Sequence, residues 1–250
     1  MDDLLIVLSN PLAERHDDFN DWYSNVHIRD VMRLPGSSAV QRLRLHDAQV
    51  PEAPGIAADR TFEYLALYEC HDIELVSAGH AAVFSPMMLI SDSFDFVMRE
   101  AYYRPSVQRR QHAADVTQGA IIVERIDRDA APDLAAWYDR ERMPALMALP
   151  GVVAGTFSTV APHQMLDPHA DSWHIGLYRT HDPEATLAAW GQAPALPGGG
   201  IIRVACYAPL MPRLAARQVV HPSPEGRLTE ARARLRLKGR VYTGFPEGLF

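Results

Sequence analysis

The chain has 250 residues, of which 48% are hydrophobic, and a formal net charge of −7, which suits a globular protein and gives no reason to expect nucleic acid as a partner. Its two cysteines, Cys70 and Cys206, lie in apolar runs, so a disulfide framework is not expected. No apolar stretch is long enough to span a bilayer and the N-terminus lacks signal-peptide features, which predicts a cytoplasmic protein.

The first half of the chain shows strand and helix patterns in the order β-α-β-β-α-β. Phe19, Trp22, Tyr23 and Val26 follow the three- and four-residue spacing of a helix, which the Pro-Gly pair at 35–36 ends. The predicted segments are strands at about 4–8, 40–45, 62–70 and 94–103, helices at about 14–34 and 71–84, and an exposed loop at about 47–60. This order is typical of a ferredoxin-like unit.

The second half repeats that order. Its predicted segments are strands at about 120–126, 152–160, 173–180 and 201–210 and helices at about 132–149 and 182–192, joined to the first half by polar residues 106–118. The arginine-rich remainder, with a predicted helix at about 229–237, favours an arm that packs on the acidic body or on a second chain over a site for an anionic partner. The predicted units are therefore 1–110, 117–210 and a basic arm at 211–250.

An internal repeat supports this division. Trp22 and Trp137 are each followed by a tyrosine, and 13 residues further on by Pro35 and Pro150. The candidate chemistry is not repeated, which predicts one working site and one structural partner. His27, Asp30 and His80 of the first half correspond to Arg142, Ala145 and Trp190 of the second.

Two ferredoxin-like units in one chain resemble a fused pair from the dimeric α/β-barrel superfamily, over about residues 3–210. Phe19, Trp22-Tyr23 and His27 on the first helix resemble its EthD-like branch. The resemblance implies an α+β fold in which tandem duplicated units form an intramolecular barrel, with a C-terminal tail. It leaves the reaction open, because the superfamily holds muconolactone-type isomerases, polyketide cyclases, cofactor-free monooxygenases and haem enzymes.

His27 is the first candidate catalytic residue. Tyr23 and Asp30 stand four residues before it and three after it, so a helix places all three on one face. A carboxylate beside a histidine raises its basicity, which suits a general base. The alternative from spacing alone is a surface histidine paired with Asp30. The resemblance implies that this histidine lies in a pocket between helix and sheet.

His80 is the second candidate, because its segment resembles the His-Pro-x-His segment of the cyclase branch, although Ala78-Gly79 replaces the upstream His-Pro. The alternative is a helix C-terminal histidine favoured by the dipole. Arg42 and Tyr64 are candidate substrate-binding residues, as is Tyr23. Arg42 would hold a carboxylate and Tyr64 an oxyanion if they face inward, but a shift of one residue in register would make them a surface arginine and a core aromatic.

No cofactor is predicted. The histidines and aspartates at 163–174 match no zinc-site spacing and lack cysteine ligands, so no metal is expected there; the residues concerned are His163, Asp167, His169, Asp171 and His174. Haem is possible from the superfamily, but the chain offers no unambiguous axial histidine.

These patterns predict a cofactor-independent enzyme that acts on a small, largely apolar carbonyl, lactone or aromatic compound as an isomerase, cyclase or dehydratase/lyase. His27 would remove a proton, Asp30 would orient it, and Tyr64, His80 or Arg42 would stabilise the anion. The alternatives are a cofactor-free monooxygenase of phenols and a non-catalytic small-ligand-binding or accessory protein. A homodimer through sheet edges or the C-terminal arm is possible.

Overall fold

The structure is a computed structural model that describes residues 2–111, 117–127, 133–162, 164 and 173–243. The strands of the first half are β1 (Asp3–Pro11), β2 (Ser37–Leu45), β3 (Ile56–Ala58), β4 (Tyr64–Cys70), β5 (Leu89–Ser91) and β6 (Phe94–Arg110). Its first helix consists of α1 (His16–Trp22), a π-helical turn (Tyr23–His27) and α2 (Ile28–Met32), and its second is α3 (Ile73–Met87).

The second half has the same order of elements. Its strands are β7 (Ala120–Asp127), β8 (Val152–Val160), β9 (Trp173–Thr180) and β10 (Ile202–Pro209). Its first helix consists of α4 (Leu134–Trp137), a π-helical turn (Tyr138–Arg142) and α5 (Met143–Met147), and its second is α6 (Pro183–Ala189) with a 3₁₀ turn (Trp190–Gln192). The arm contains β11 (Leu214–Ala215), α7 (Ala216–Val220), α8 (Pro224–Arg236) and β12 (Val241–Thr243).

Eight antiparallel strands, four from each half, close into a barrel. Their order is β2-β4-β1-β6-β8-β9-β7-β10, and β10 pairs back onto β2 with Tyr207 opposite Leu45. A closed sheet leaves no free edge between the halves. The structure thus confirms the predicted α+β class with a ferredoxin-like order of elements and a barrel.

Strand β6 runs further than the sequence predicted, and it joins the halves by pairing with both β1 and β8. The register shifts between Pro105 and Val107, where the proline has no amide hydrogen to donate. The prediction that 106–118 form a polar linker is therefore wrong for 106–110, and 112–116 lie outside the described residues. The predicted loop at 47–60 also contains β3, which pairs in parallel with β10.

Alternation along the strands divides the apolar residues between two kinds of layer. Leu4, Ile6 and Leu8 point into the barrel, where they pack with residues of both halves. Leu5 and Val7 point outward into the layer beneath the helices of the first half. A separate core lies beneath the helices of the second half. Each half therefore has its own interface between helices and sheet.

The first helix of each half carries a π-helical turn that begins directly after a tryptophan, at Tyr23 and at Tyr138. π-helical turns are rare in proteins, and those that interrupt an α-helix are frequently found at functional sites. Glycines with positive φ follow each helix: Gly36 at +91° and Gly151 at +77°. A Cβ on Gly36 would lie 2.3 Å from the Asp72 carbonyl oxygen, so only glycine fits this turn.

The arm packs against the first half. Strand β11 pairs with β2, β12 pairs with β5, and α8 contacts the π-helical turn of the first helix. Basic residues of the arm meet acidic residues of α1 and α2; the ion pairs are Arg234–Asp30 at 2.5 Å, Arg236–Asp21 at 2.5 Å and Arg240–Asp18 at 2.8 Å. This is the predicted packing of a basic arm on an acidic body. Among the described residues, no helix has the length and apolarity to cross a membrane.

Candidate functional site

Arg42 lies at the centre of the candidate site. It sits on β2 at 0% exposure, beneath the first helix. Its guanidinium carbon lies 4.4 Å from the centre of the Tyr23 ring, 5.2 Å from Phe19 and 5.3 Å from Tyr64. Cation–π contacts of this kind partly offset the loss of water around a buried charge.

Only one hydrogen bond to the guanidinium is seen among the described residues. Nη1 donates to the Ser24 hydroxyl at 2.6 Å, whereas Nε and Nη2 have no partner in the described part of the chain. Burial lowers the pKa of Arg42 to about 10, with the neighbouring tyrosines opposing this shift. A buried arginine with two unpaired nitrogens is suited to bind the oxygen of an anionic group.

The strand register shows which side chains face the helix with Arg42. Arg42 stands opposite Ala66, Ala66 opposite Val7, and Val7 opposite Glu100, so these residues form one row across four strands. Tyr64 stands opposite Arg44 on the next strand. It is two positions from Ala66 along β4, so its side chain is on the same face of the sheet as those of Ala66 and Arg42. The question that the sequence left open is thus answered: Arg42 and Tyr64 face the same side.

Tyr64 closes one side of the site. It is 1% exposed, and its hydroxyl accepts a hydrogen bond from Asn20 Nδ2 at 3.0 Å and lies 3.1 Å from His16 Nδ1. Tyr64 is therefore held by the first helix. The hydroxyl of Tyr23, the other predicted substrate-binding tyrosine, lies close to Tyr68, and burial raises the pKa of Tyr23. The Tyr23 phenol is therefore neutral at pH 7 and can act as a hydrogen-bond donor.

His27 ends the π-helical turn and is 7% exposed. Its ring packs 4.7 Å from the rings of Trp22 and Tyr23. Burial lowers its pKa to about 3, and the nearby His80 and Arg42 add to the shift. The imidazole is therefore neutral at pH 7, which is the form that can accept a proton.

His80 faces a buried carboxyl group that the sequence interpretation missed. Its Nδ1 lies 3.0 Å from the Tyr102 hydroxyl and 3.7 Å from Glu100 Oε1. The side chains of His80 and Glu100 are 2% and 5% exposed. Burial lowers the pKa of His80 to about 4 and raises that of Glu100 to about 8, so at pH 7 the proton of this pair belongs to the carboxyl group.

Asp30 lies away from these groups. Its carboxylate accepts hydrogen bonds from Arg33 at 3.1 Å and from Arg234 of the arm at 2.5 Å. It therefore fastens the arm to α2. The role of Asp30 in orienting His27 stays a prediction.

The corresponding positions of the second half are occupied by groups that pair with one another. The register and the two π turns match the residues as follows: Val7 with Glu124, Tyr23 with Tyr138, His27 with Arg142, Arg42 with Phe157, and Glu100 with Val204. Arg142 forms an ion pair with Glu124 and donates to the Pro194 carbonyl at 2.5 Å. Tyr138 and Trp190 also donate to Glu124.

This ion pair fills the second interface between helix and sheet. Burial opposes the charge of Arg142, but Glu124 outweighs that effect and raises the pKa of Arg142. The Phe157 ring stacks on Tyr138 at 4.0 Å, where the first half has a guanidinium over Tyr23. The second half thus presents a satisfied polar cluster, in contrast to Arg42.

The sequence contained a signal for Glu100. It is in phase with Phe94, Phe96, Met98 and Tyr102, all of which face the helices. A carboxylate in phase with the apolar residues of a strand is an exception to the usual pattern and indicates a buried ionisable group. The π-helical turn left no such signal.

The predicted absence of a metal concerns five residues between 163 and 174. His163, Asp167, His169 and Asp171 lie outside the described residues, and His174 packs its ring 5.6 Å from Phe157. Among the residues that the structure describes, no group of three histidine, cysteine, aspartate or glutamate side chains is placed to hold a metal ion.

Comparisons with known proteins give structural neighbours only. No family model and no curated protein matches the chain. An anthrone oxidase-like protein is similar with a TM-score of 0.50 and 8% identity, covering 88% of this chain and 95% of its own. A candidate monooxygenase from Fusobacterium nucleatum gives 0.49 and 8%, covering 85% and 94%. A ferredoxin-fold protein from Listeria monocytogenes, related to antibiotic biosynthesis monooxygenases, gives 0.39 and 11%, covering 84% and 96%. At these identities the likeness is one of fold.

Proposed function

We propose that the first half binds a small, largely apolar carbonyl, lactone or aromatic compound and removes a proton from it without a cofactor, as an isomerase, cyclase or dehydratase/lyase does. One observation carries the proposal: Arg42 is buried with two unpaired nitrogens close to the neutral His27, whereas Arg142 in the second half is neutralised by Glu124. A buried charge without a counterion is costly, so its retention suits a site that receives an anion.

The reaction begins when His27 accepts a proton from a carbon next to the substrate carbonyl. The C–H bond breaks, its electron pair moves onto the carbonyl oxygen, and Arg42 stabilises the resulting oxyanion. One such donor typically stabilises the transition state by about 3–4 kcal/mol. Tyr64 and His80 line the same layer and can donate further hydrogen bonds. Isomerisation, ring closure or elimination then consumes the anion.

The proposal includes the origin of the asymmetry. The two halves derive from a tandem fusion of EthD-like units, and the second site was filled when Arg142 and Glu124 took the places of a histidine and a small apolar residue. The matching π turns, Pro-Gly turns and strand registers support this history. The core position of Phe19 and His27 on the first helix supports the EthD-like assignment.

A cofactor-free monooxygenase of phenols is the second candidate. The anthrone oxidase-like and monooxygenase-related neighbours favour it, and the same site would serve its first step. His27 would take the phenol proton, Arg42 would hold the phenolate, and dioxygen would be the oxidant of the electron-rich ring. The two candidates differ in whether oxygen is consumed.

Two measurements test the proposal. The first is titration of the protein with 4-nitrophenol, whose absorbance distinguishes phenol from phenolate; we expect the phenolate to bind and Arg42→Met to abolish binding. Arg44→Met is the matched control, because Arg44 is exposed and paired with Glu63 at 2.6 Å.

The second measurement is deuterium incorporation from D₂O into 2-tetralone, recorded by NMR. We expect His27→Ala to lose the activity and His71→Ala, at an exposed histidine, to keep it. Oxygen consumption with 1-naphthol would identify the monooxygenase. Phenolate binding without exchange or oxygen uptake would indicate a binding protein. Absence of phenolate binding to the unmodified protein would refute the proposal.

A further inference from the structure

Glu100 and His80 form a second titratable group at the opposite end of the row from Arg42. Three strand spacings, about 14 Å, separate the two ends. Glu100 Oε1 is buried and has no hydrogen-bond partner among the described residues, and His80 Nδ1 lies 3.7 Å from it. The carboxyl group therefore lies beside the His80 imidazole, slightly beyond hydrogen-bond distance.

A structural role does not account for this carboxyl group. Its counterpart in the second half is Val204, so the fold accepts an aliphatic side chain at this register position. The second half also shows how the same fold stabilises a buried carboxylate: Glu124 receives donors from Arg142, Tyr138 and Trp190. Among the described residues, no arginine or lysine pairs with Glu100 in this way.

We propose that Glu100 acts through His80 as a proton relay for the second proton transfer of the reaction; this inference rests on the proposed function of the same site. Glu100 delivers its carboxyl proton to His80 Nδ1 while His80 Nε2–H gives its own proton to the substrate anion. The O–H bond of Glu100 and the N–H bond at Nε2 break, and bonds form at Nδ1 and on the substrate. Glu100 is left as a carboxylate and His80 stays neutral.

The cycle closes when the proton that His27 removed returns to Glu100. The charge of His80 contributes to the lowered pKa of His27, and the proposal assigns the return of the proton to these two imidazoles. The titratable groups that face Glu100 in the described part of the chain are His80 from α3, Tyr23 from the π-helical turn, Tyr68 from β4 and Tyr102 from β6. None of these is cationic at pH 7.

The test begins with the full-length protein and no substrate. A protonated carboxyl group gives a carbonyl-stretch band in the infrared, and we expect this band at pH 6 and its loss near pH 8, where Glu100 titrates. The band should vanish in Glu100→Gln and persist in Glu69→Gln, a control at a half-buried carboxylate paired with Arg213. ¹⁵N NMR of the histidines should show His80 Nδ1 shifting at the same pH.

Catalysis supplies the second readout. We expect Glu100→Gln to reduce deuterium exchange into 2-tetralone at least tenfold, with unchanged 4-nitrophenolate binding, and to remove the loss of rate near pH 8. Absence of the band, or a band whose loss leaves His80 unshifted, would overturn the relay. If the unmodified protein shows the band and the coupled shift but exchanges no deuterium, Glu100 and His80 still titrate as a coupled pair, the proposed function fails, and the relay role fails with it. If the protein exchanges deuterium but shows no band or no coupled shift, the relay alone fails.

Discussion

Replacing Arg42 by methionine distinguishes an arginine that binds a ligand from one that stabilises the fold. The second half provides the comparison, because Arg142 is also 0% exposed between helix and sheet but is paired with Glu124. Methionine has a similar reach and no charge. The same substitution at the two sites therefore tests whether each positive charge is compensated within the protein.

The structure predicts opposite outcomes at the two positions. The lowering of the Arg42 pKa from 12.5 to about 10 corresponds to about 3 kcal/mol against the charged form, since one pKa unit is about 1.4 kcal/mol. Methionine removes this penalty and loses the hydrogen bond to Ser24, about 1 kcal/mol, and cation–π contacts of about 1–2 kcal/mol. Arg42→Met should therefore leave stability unchanged or raise it by about 1 kcal/mol.

Arg142→Met should destabilise the protein by about 3–5 kcal/mol, because it leaves Glu124 buried without its cation. Urea unfolding at pH 7, followed by tryptophan fluorescence and extrapolated linearly to water, measures both values. A loss of 3 kcal/mol or more in Arg42→Met would refute the argument, since it would mean that the protein itself compensates the charge of Arg42.

Three further predictions concern stability. The pKa of His27 is about 3 in the folded state and 6.5 in the unfolded state, so the contribution of neutral His27 to folding stability is present above pH 6.5 and is lost as the pH falls towards 3. The urea midpoint should therefore fall less between pH 6.5 and pH 4 in His27→Gln than in the unmodified protein. An unchanged pH profile would contradict this. Asp21→Asn, which breaks the pair with Arg236, should lower the midpoint slightly in low salt and not at all in 1 M NaCl, whereas an equal loss in both would indicate packing. Gly36→Ala should lower the free energy of unfolding by about 2 kcal/mol or more, because the added Cβ meets a carbonyl oxygen. Gly198→Ala, at a similar φ but with open space around the Cβ, should lower it by about 1 kcal/mol. Equal losses would exclude the steric explanation.

Local patterns predicted most of the fold. The predicted bounds of β8 and β9 are the observed ones. The helix predicted from residue 71 is α3, which Asp72 caps by accepting hydrogen bonds from the amides of Glu74 and Leu75. The extension of β6 to Arg110 could not be predicted locally, because the stabilising partner is β8, about fifty residues away. Residues 106–110 are mostly polar because most of them are exposed at the end of β6. The same composition is typical of a linker.

The candidate site was predicted less completely, because its residues meet only through register and helix geometry. Arg42 and Tyr64 were identified by residue type, but their facing depended on which residue pairs with Ala66. Helical spacing predicted that Tyr23 and His27 lie together, and their rings are 4.7 Å apart. The ion pair of Asp30 with Arg234 could not be predicted from spacing, because Arg234 is about two hundred residues further along the chain. The sequence prediction did not include Glu100, although this residue is in phase with the apolar face of its strand.

The same barrel accommodates two different solutions to one electrostatic problem. An arginine and a carboxylate lie beneath the helices in each half, but in the second half Glu124 and Arg142 are in contact, whereas in the first Arg42 and Glu100 stand at opposite ends of a row. Contact lets the two charges neutralise each other and yields a scaffold. Separation leaves a cation without an anion and a carboxyl group that holds its proton, and this difference between the halves is why we propose that Arg42 binds a ligand with an acidic oxygen.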